Sequence, residues 1–160
     1  MSQPSQSQKI SKFEQSYELA YLAGFFDGEG CVSINRSPYH TSIGTLLHTY
    51  RLHVQVSNTY HGIIDDLART YGGYLASPKR ELNVCKRLDL YRDQAAAFLQ
   101  SIQPYVRIKQ EQVTLALEFH EHTSTSGRRV SIEEASYRKA CYERMKELKQ
   151  SYRVPTKEIT

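Results

Sequence analysis

The chain has 160 residues, 21 Lys and Arg against 17 Asp and Glu and a formal net charge of +4, which fits one domain with a real core and a mild basic excess suited to a polyanionic partner without requiring one. Three cysteines, Cys31, Cys85 and Cys141, with no Cys-x-x-Cys pair, exclude a disulfide framework and a zinc knuckle and point to a reducing compartment. The Ser/Gln-rich start lacks an apolar signal-peptide core and no uncharged stretch approaches membrane-spanning length, so the expectation is a soluble intracellular protein, in the cytoplasm or an organelle, with no membrane partner.

In chain order, residues 1–15 are polar and read as a loose tail, and a helix begins near Ser16. Leu19, Leu22, Phe25 and Phe26 fall on one face of it, while Ala20, Ala23, Gly24 and Asp27 form a second face of small residues closing on a carboxylate. The run ends Asp27-Gly28-Glu29-Gly30, where glycines permit a sharp turn that pushes Glu29 beyond the helix end. The same residues also suit an ordinary amphipathic helix with a glycine cap and two solvated acids.

After Glu29 the period switches from helical to two. Val32 and Ile34 alternate with Ser33, Asn35 and Ser37, and beyond a loop containing Pro38 and Gly44, Leu52, Val54 and Val56 alternate with Arg51, His53, Gln55 and Ser57. A short helix over Ile63 to Tyr71 is bounded by Gly62 and Gly72-Gly73, and Tyr74 to Ser77 is a strand stopped by Pro78. Leu82 to Leu90 is a further strand, with Leu82, Val84, Leu88 and Leu90 inward and Asn83, Cys85, Arg87 and Asp89 outward. Helices follow over about Asp93 to Ile102, Lys109 to His120 and Ser131 to Tyr152, the last with Ser131 as N-cap and Glu133 and Glu134 at the positive end of its dipole. One α+β domain over residues 16–153 results, with an α-β-β-α-β-β-α core, extra C-terminal helices and a tail over residues 154–160. No acid occurs between Glu29 and Asp65, an interval that holds Arg36, Arg51, His40, His48, His53 and His61.

The Leu22 to Gly30 run, followed by this order of elements, resembles the signature of the LAGLIDADG homing endonucleases, and residues 17–119 resemble a complete single-motif member. Glu29 departs from the usual Asp in length but keeps the carboxylate. The resemblance implies a curved antiparallel sheet whose polar face reads double-stranded DNA: Ser33, Asn35, Ser37, Thr49, Arg51, His53, Gln55, Asn83, Arg87 and Asp89, with Arg51 and Gln55 foremost. Those residue types match base edges, and a ten-residue strand spans roughly 33 Å, about one turn of the duplex. A sheet with one face in water would show the same alternation.

The resemblance further implies Mg²⁺ held by Glu29 and the Gly28 carbonyl, with Lys109 and Asn58 completing the catalytic set. Asn58 falls where the family commonly has Gln, and is equally suited to a turn; Lys109 is also readable as an exposed first-turn lysine. A single motif per chain implies a homodimer meeting through Ala20, Ala23 and Gly24, with Asp27 as a helix-end acceptor at the seam. His53 and His61 lack the companions of a histidine metal site. The mixed charges of the last helix suit a solvated face or contacts to flanking phosphates. The function implied is site-specific DNA cleavage at a long pseudo-palindrome, leaving short 3′ overhangs and promoting intron or intein mobility. An RNA maturase and a non-cleaving DNA-binding regulator are the alternatives.

Overall fold

In the computed structural model, which describes residues 12–76, 84–125 and 130–151, the elements are α1 (Lys12–Glu29), β1 (Gly30–His40), β2 (Leu46–Asn58), α2 (His61–Tyr71), β3 (Tyr74–Ala76), β4 (Lys86–Tyr91), α3 (Arg92–Ile102), α4 (Gln110–Thr125) and α5 (Ile132–Ser151). The expected order is therefore the order found. The strands form one antiparallel sheet, β1-β2-β4-β3. β1 and β2 extend beyond the predicted alternation and pair as far as His40 and Leu46, carrying Pro38 opposite His48. β1 is an edge strand, where the missing proline N–H need not break the ladder.

Period two sorts the sheet into an apolar and a polar face. Val32, Ile34, Leu52, Val54, Val56, Leu88 and Leu90 are buried against helices that contribute Phe26, Phe98, Leu99, Ile102 and Phe119. Phe98 stands edge-on to both Phe26 and Tyr71, with centroids 5.5 and 5.2 Å away, an aromatic geometry that adds to area burial. Cys141, Met145 and Leu148 form the buried stripe of α5, at helical spacing. Burial raises the Cys141 thiol pKa above its usual value. The Ser131 hydroxyl accepts the Glu134 N–H at 3.1 Å, the N-cap expected from sequence.

One strand boundary is corrected. Val84 is 63% exposed rather than inward, and β4 begins only at Lys86. The Val84 carbonyl lies 2.6 Å from His61 Nε2, which draws this backbone to α2, while the Lys86 ammonium pairs with Asp65. Ser77, Leu82 and Asn83 lie outside the described residues.

Candidate active site

α1 runs through Gly28 to Glu29, and the change of direction falls at Gly30. A Cβ there would stand 2.1 Å from Phe26 Cδ2 and 2.8 Å from the Phe26 carbonyl, so only glycine lets the strand leave so close to the helix. Asp27 and Glu29, two residues apart, are rotated roughly 200° about the axis. They consequently point in different directions and do different things.

The Asp27 carboxylate accepts the backbone N–H groups of Arg107 at 2.9 Å, Ile108 at 3.1 Å and Lys109 at 3.1 Å. These groups lead into α4, so the carboxylate caps the positive end of that helix. Asp27 is thus a helix-end acceptor for α4 of its own chain. Lys109 returns the exchange: its ammonium donates to the carbonyl of Phe26 at 3.2 Å and to that of Asp27, both among the last four carbonyls of α1, which lack helical partners. Burial lowers the Lys109 pKa below its ordinary value, against the opposing pull of Asp27, Cys31 and Glu29, and Lys149 lowers it further.

Glu29 itself is exposed and accepts no hydrogen bond from any of the described residues. Gly30 pairs with Val56, so Glu29 lies level with the end of β2 that carries Ser57 and Asn58. Asn58 Oδ1 accepts the Tyr60 N–H at 2.8 Å, the turn role that its residue type also suggests. Among the described residues there is no group of three or more His, Cys, Asp or Glu able to hold a metal. One carboxylate and the Gly28 carbonyl are hard oxygen donors of the type Mg²⁺ takes, and they fit an ion whose remaining positions are filled by water and phosphate oxygens. His53 and His61 are occupied elsewhere, the one with Asp89 and the other with the Val84 carbonyl.

The polar sheet face holds Ser33, Asn35, Ser37, Thr49, Arg51, Gln55 and Arg87 at exposed or half-buried positions. In register, Asn35 faces Arg51, Ser37 faces Thr49 and Gln55 faces Asp89. Asp89, on the same face, is only 3% exposed. Its two oxygens take His53 Nε2 at 2.8 Å and Arg87 Nε at 2.8 Å, and His53 stacks on Tyr91 with ring centroids 4.7 Å apart. Ser33 Oγ lies 3.4 Å from His53 Nδ1. Asp89 and His53 therefore organise this face from beneath, a role that alternation in the sequence could not separate from direct contact. Arg87 meets Asp89 through Nε, and Asp89 is thereby compensated by both Arg87 and His53.

The outer surface of α1 is a second distinct feature. Ala23 is completely buried with Phe26 in the core, which corrects its assignment to an interface. Ala20, Gly24 and Gly28 are exposed, flanked by Tyr17 at 73% and Tyr21 at 66% exposure. A Cβ at Gly24 or Gly28 would meet nothing within 4 Å. Packing within one chain gives no reason for glycine at either position.

No family profile and no curated protein matches the sequence, but solved structures do. The homing endonuclease I-CvuI, in complex with the I-CreI target, is 20% identical with a TM-score of 0.56, over 84% of this chain and 98% of that one. An archaeal intron-encoded homing endonuclease complexed with DNA reaches a TM-score of 0.67 at 12% identity, over 84% and 86% of the two chains. The homing endonuclease I-TnaI gives 0.60 at 14% identity, over 84% and 97%. With the helix-tip signature and the α-β-β-α-β-β-α order in place, the chain has the fold of the LAGLIDADG homing endonucleases.

Proposed function

We propose that the protein is a homodimeric, metal-dependent endonuclease that cuts double-stranded DNA at a long pseudo-palindromic site, leaves short 3′ overhangs and so promotes the mobility of an intron or intein. The observation that carries this reading is the reciprocal α1–α4 junction, which leaves Glu29 exposed and without a hydrogen bond from any of the described residues while the Lys109 ammonium bonds to the last turn of the same helix, at the end of a polar sheet face on which Asp89 is paired with His53 and Arg87. DNA appears in the described complexes of similarly folded proteins, in keeping with such a face.

Glu29, with the Gly28 carbonyl, would hold Mg²⁺, which when bound supplies charge neutralisation and an activated water for phosphodiester hydrolysis. Lys109 offers positive charge to the phosphoryl oxygens in the transition state. Asn58, at the neighbouring end of β2, orients water with its amide nitrogen while its oxygen holds the turn. Arg51, Gln55 and Arg87 reach base edges, arginine favouring guanine and glutamine adenine. Ser33, Asn35, Ser37 and Thr49 complete the reading surface, and Asn83 is kept as a candidate from its residue type alone.

One motif cuts one strand, so two chains are required. The exposed stripe of Ala20, Gly24 and Gly28 lets two α1 helices approach about a twofold axis, with Tyr17 and Tyr21 closing over the contact. That arrangement brings both Glu29 carboxylates to the centre of the site, where they repel unless a cation lies between them.

The test is to incubate the protein and Mg²⁺ with DNA bearing the uninterrupted form of its host gene and to sequence the fragment ends, with Glu29→Gln in parallel. Unique staggered ends that vanish in the variant are expected. Specific RNA binding without any DNA cutting would replace this reading with that of a maturase.

A further inference from the structure

A second lysine stands at the cleavage end of the molecule, brought there by tertiary structure alone. Lys149, in the last turn of α5, donates to Cys31 Sγ at 3.1 Å, and Cys31 is two residues beyond Glu29. Its place is fixed from below, since Met145 and Leu148 of the same helix are buried. Lys109 donates to the carbonyls of Phe26 and Asp27 and feels the charge of Lys149, so ammonium groups from α5 and from the segment leading into α4 both bond at the tip of α1.

Most cations of α5 are paired within the helix, and of the two that lack a carboxylate partner among the described residues, Lys139 and Lys149, Lys149 is the one bonded beside the tip of α1. Arg138 pairs with Glu134, Arg144 with Glu147 and Lys146 with Glu143, whereas neither Lys149 nor Lys109 has a carboxylate partner among the described residues. A thiol is a weak acceptor, and an ammonium carries three donors. Lys149 therefore holds a defined position with most of its hydrogen-bonding capacity unspent. An ammonium held in place with donors to spare is suited to receiving an anion such as a phosphate.

The surroundings continue the same chemistry. Between α5 and the edge strand β1 lies a groove of about 390 Å³, lined among others by Ser33, Asn35, Arg36, Tyr142, Lys146 and Lys149. The Arg36 and Lys146 charges lie 5.2 and 5.3 Å from the centre of the Tyr142 ring. Lys146 and Lys149 are one turn apart, about 4.5 Å along the helix, so cations line the edge of the sheet up to Glu29. The position of Lys149 near the helix C-terminus is favoured by the dipole in any case. The dipole does not account for its direction toward Cys31.

Resting on the endonuclease reading, we propose that Lys149, held by Cys31, is a phosphate-contacting residue of the cleavage centre, receiving the DNA backbone where it passes from the β1–α5 groove to Glu29. Four proteins decide it: wild type, Lys149→Met, Lys149→Arg and Glu29→Gln, each assayed for single-turnover cutting at saturating DNA, for the salt dependence of binding in Ca²⁺, and for thermal unfolding. Lys149→Met should cut about 10- to 100-fold more slowly, as for loss of one donor to a developing anion. Its slope of log affinity against log salt should fall by about one contact. Lys149→Arg, which keeps the charge, should recover cutting to within about fivefold of wild type. Unchanged cutting by Lys149→Met, or slow cutting with an unchanged salt slope, overturns the proposal while the endonuclease reading stands. Failure of wild type to cut, or full cutting by Glu29→Gln, removes both.

Discussion

Replacing Asp27 by Ala removes the acceptor of three backbone N–H groups at the entry to α4 and leaves them to solvent. Hydrogen bonds to a charged group contribute about 1.5–3 kcal/mol each when isolated. These three share one carboxylate, and Arg107 and Ile108 are exposed, so water replaces part of what is lost and the values do not add. A net destabilisation of about 2–3 kcal/mol is expected, at or just above the upper end of helix-cap substitutions. For a chain of this size that lowers Tm by roughly 4–12 °C. Asp27→Asn retains one oxygen and should lose about half as much. Urea melts of wild type and both variants at one fixed protein concentration measure the effect, and sedimentation at several concentrations separates it from dimerisation. A loss below about 0.5 kcal/mol in Asp27→Ala, or a loss appearing only as weaker self-association, would refute the junction as the work of this carboxylate.

Gly24→Ala should raise the stability of the isolated fold by about 1 kcal/mol, from helix propensity alone, because its Cβ meets nothing within 4 Å. In sedimentation the same variant, and Gly24→Leu more strongly, should weaken the dimer; undiminished self-association in both would place the twofold contact elsewhere. Lys109 has a pKa below the ordinary 10.5 because burial disfavours its charged form. The ammonium is present below that lowered value and lost as pH rises through it, so cutting should decline on an alkaline limb beginning below 10.5. Residual activity of Lys109→Arg, whose charge persists, should lack this limb, and an identical limb in both proteins would assign it to another group. Asp89→Asn should relax discrimination at the base position read by Arg87 by about 1–3 kcal/mol, seen in competition binding against single-base variants. Equal weakening on every sequence would make Asp89 a support for the sheet as a whole.

Much of this architecture was legible from changes of period. The switch from helical spacing to alternation after Glu29, and back at about Asp93, is dictated by which side chains face the core, and the structure keeps both, with α3 starting at Arg92. Ala23 was misread because a small residue permits close approach by any neighbour, whether a strand of the same chain or a second copy. Its neighbour Gly24 lies about 100° farther round the helix and is open to solvent. The two acids of the signature look alike in one dimension, although their separation by two residues already implies divergent directions. Val84 preserves the alternation but loses its ladder because the backbone there turns to His61. Lys149 meets Cys31 across 118 residues of sequence, a distance over which no local pattern operates.

The central claim is that Glu29 performs chemistry and does not hold the fold. Glu29→Gln, measured on the identified DNA site for both affinity and cutting, tests it most directly. The account predicts binding within about threefold of wild type, an unchanged melting temperature and no detectable cleavage, since the side chain is exposed and has no hydrogen bond among the described residues and only its charge is removed. Cleavage at the wild-type rate would contradict it.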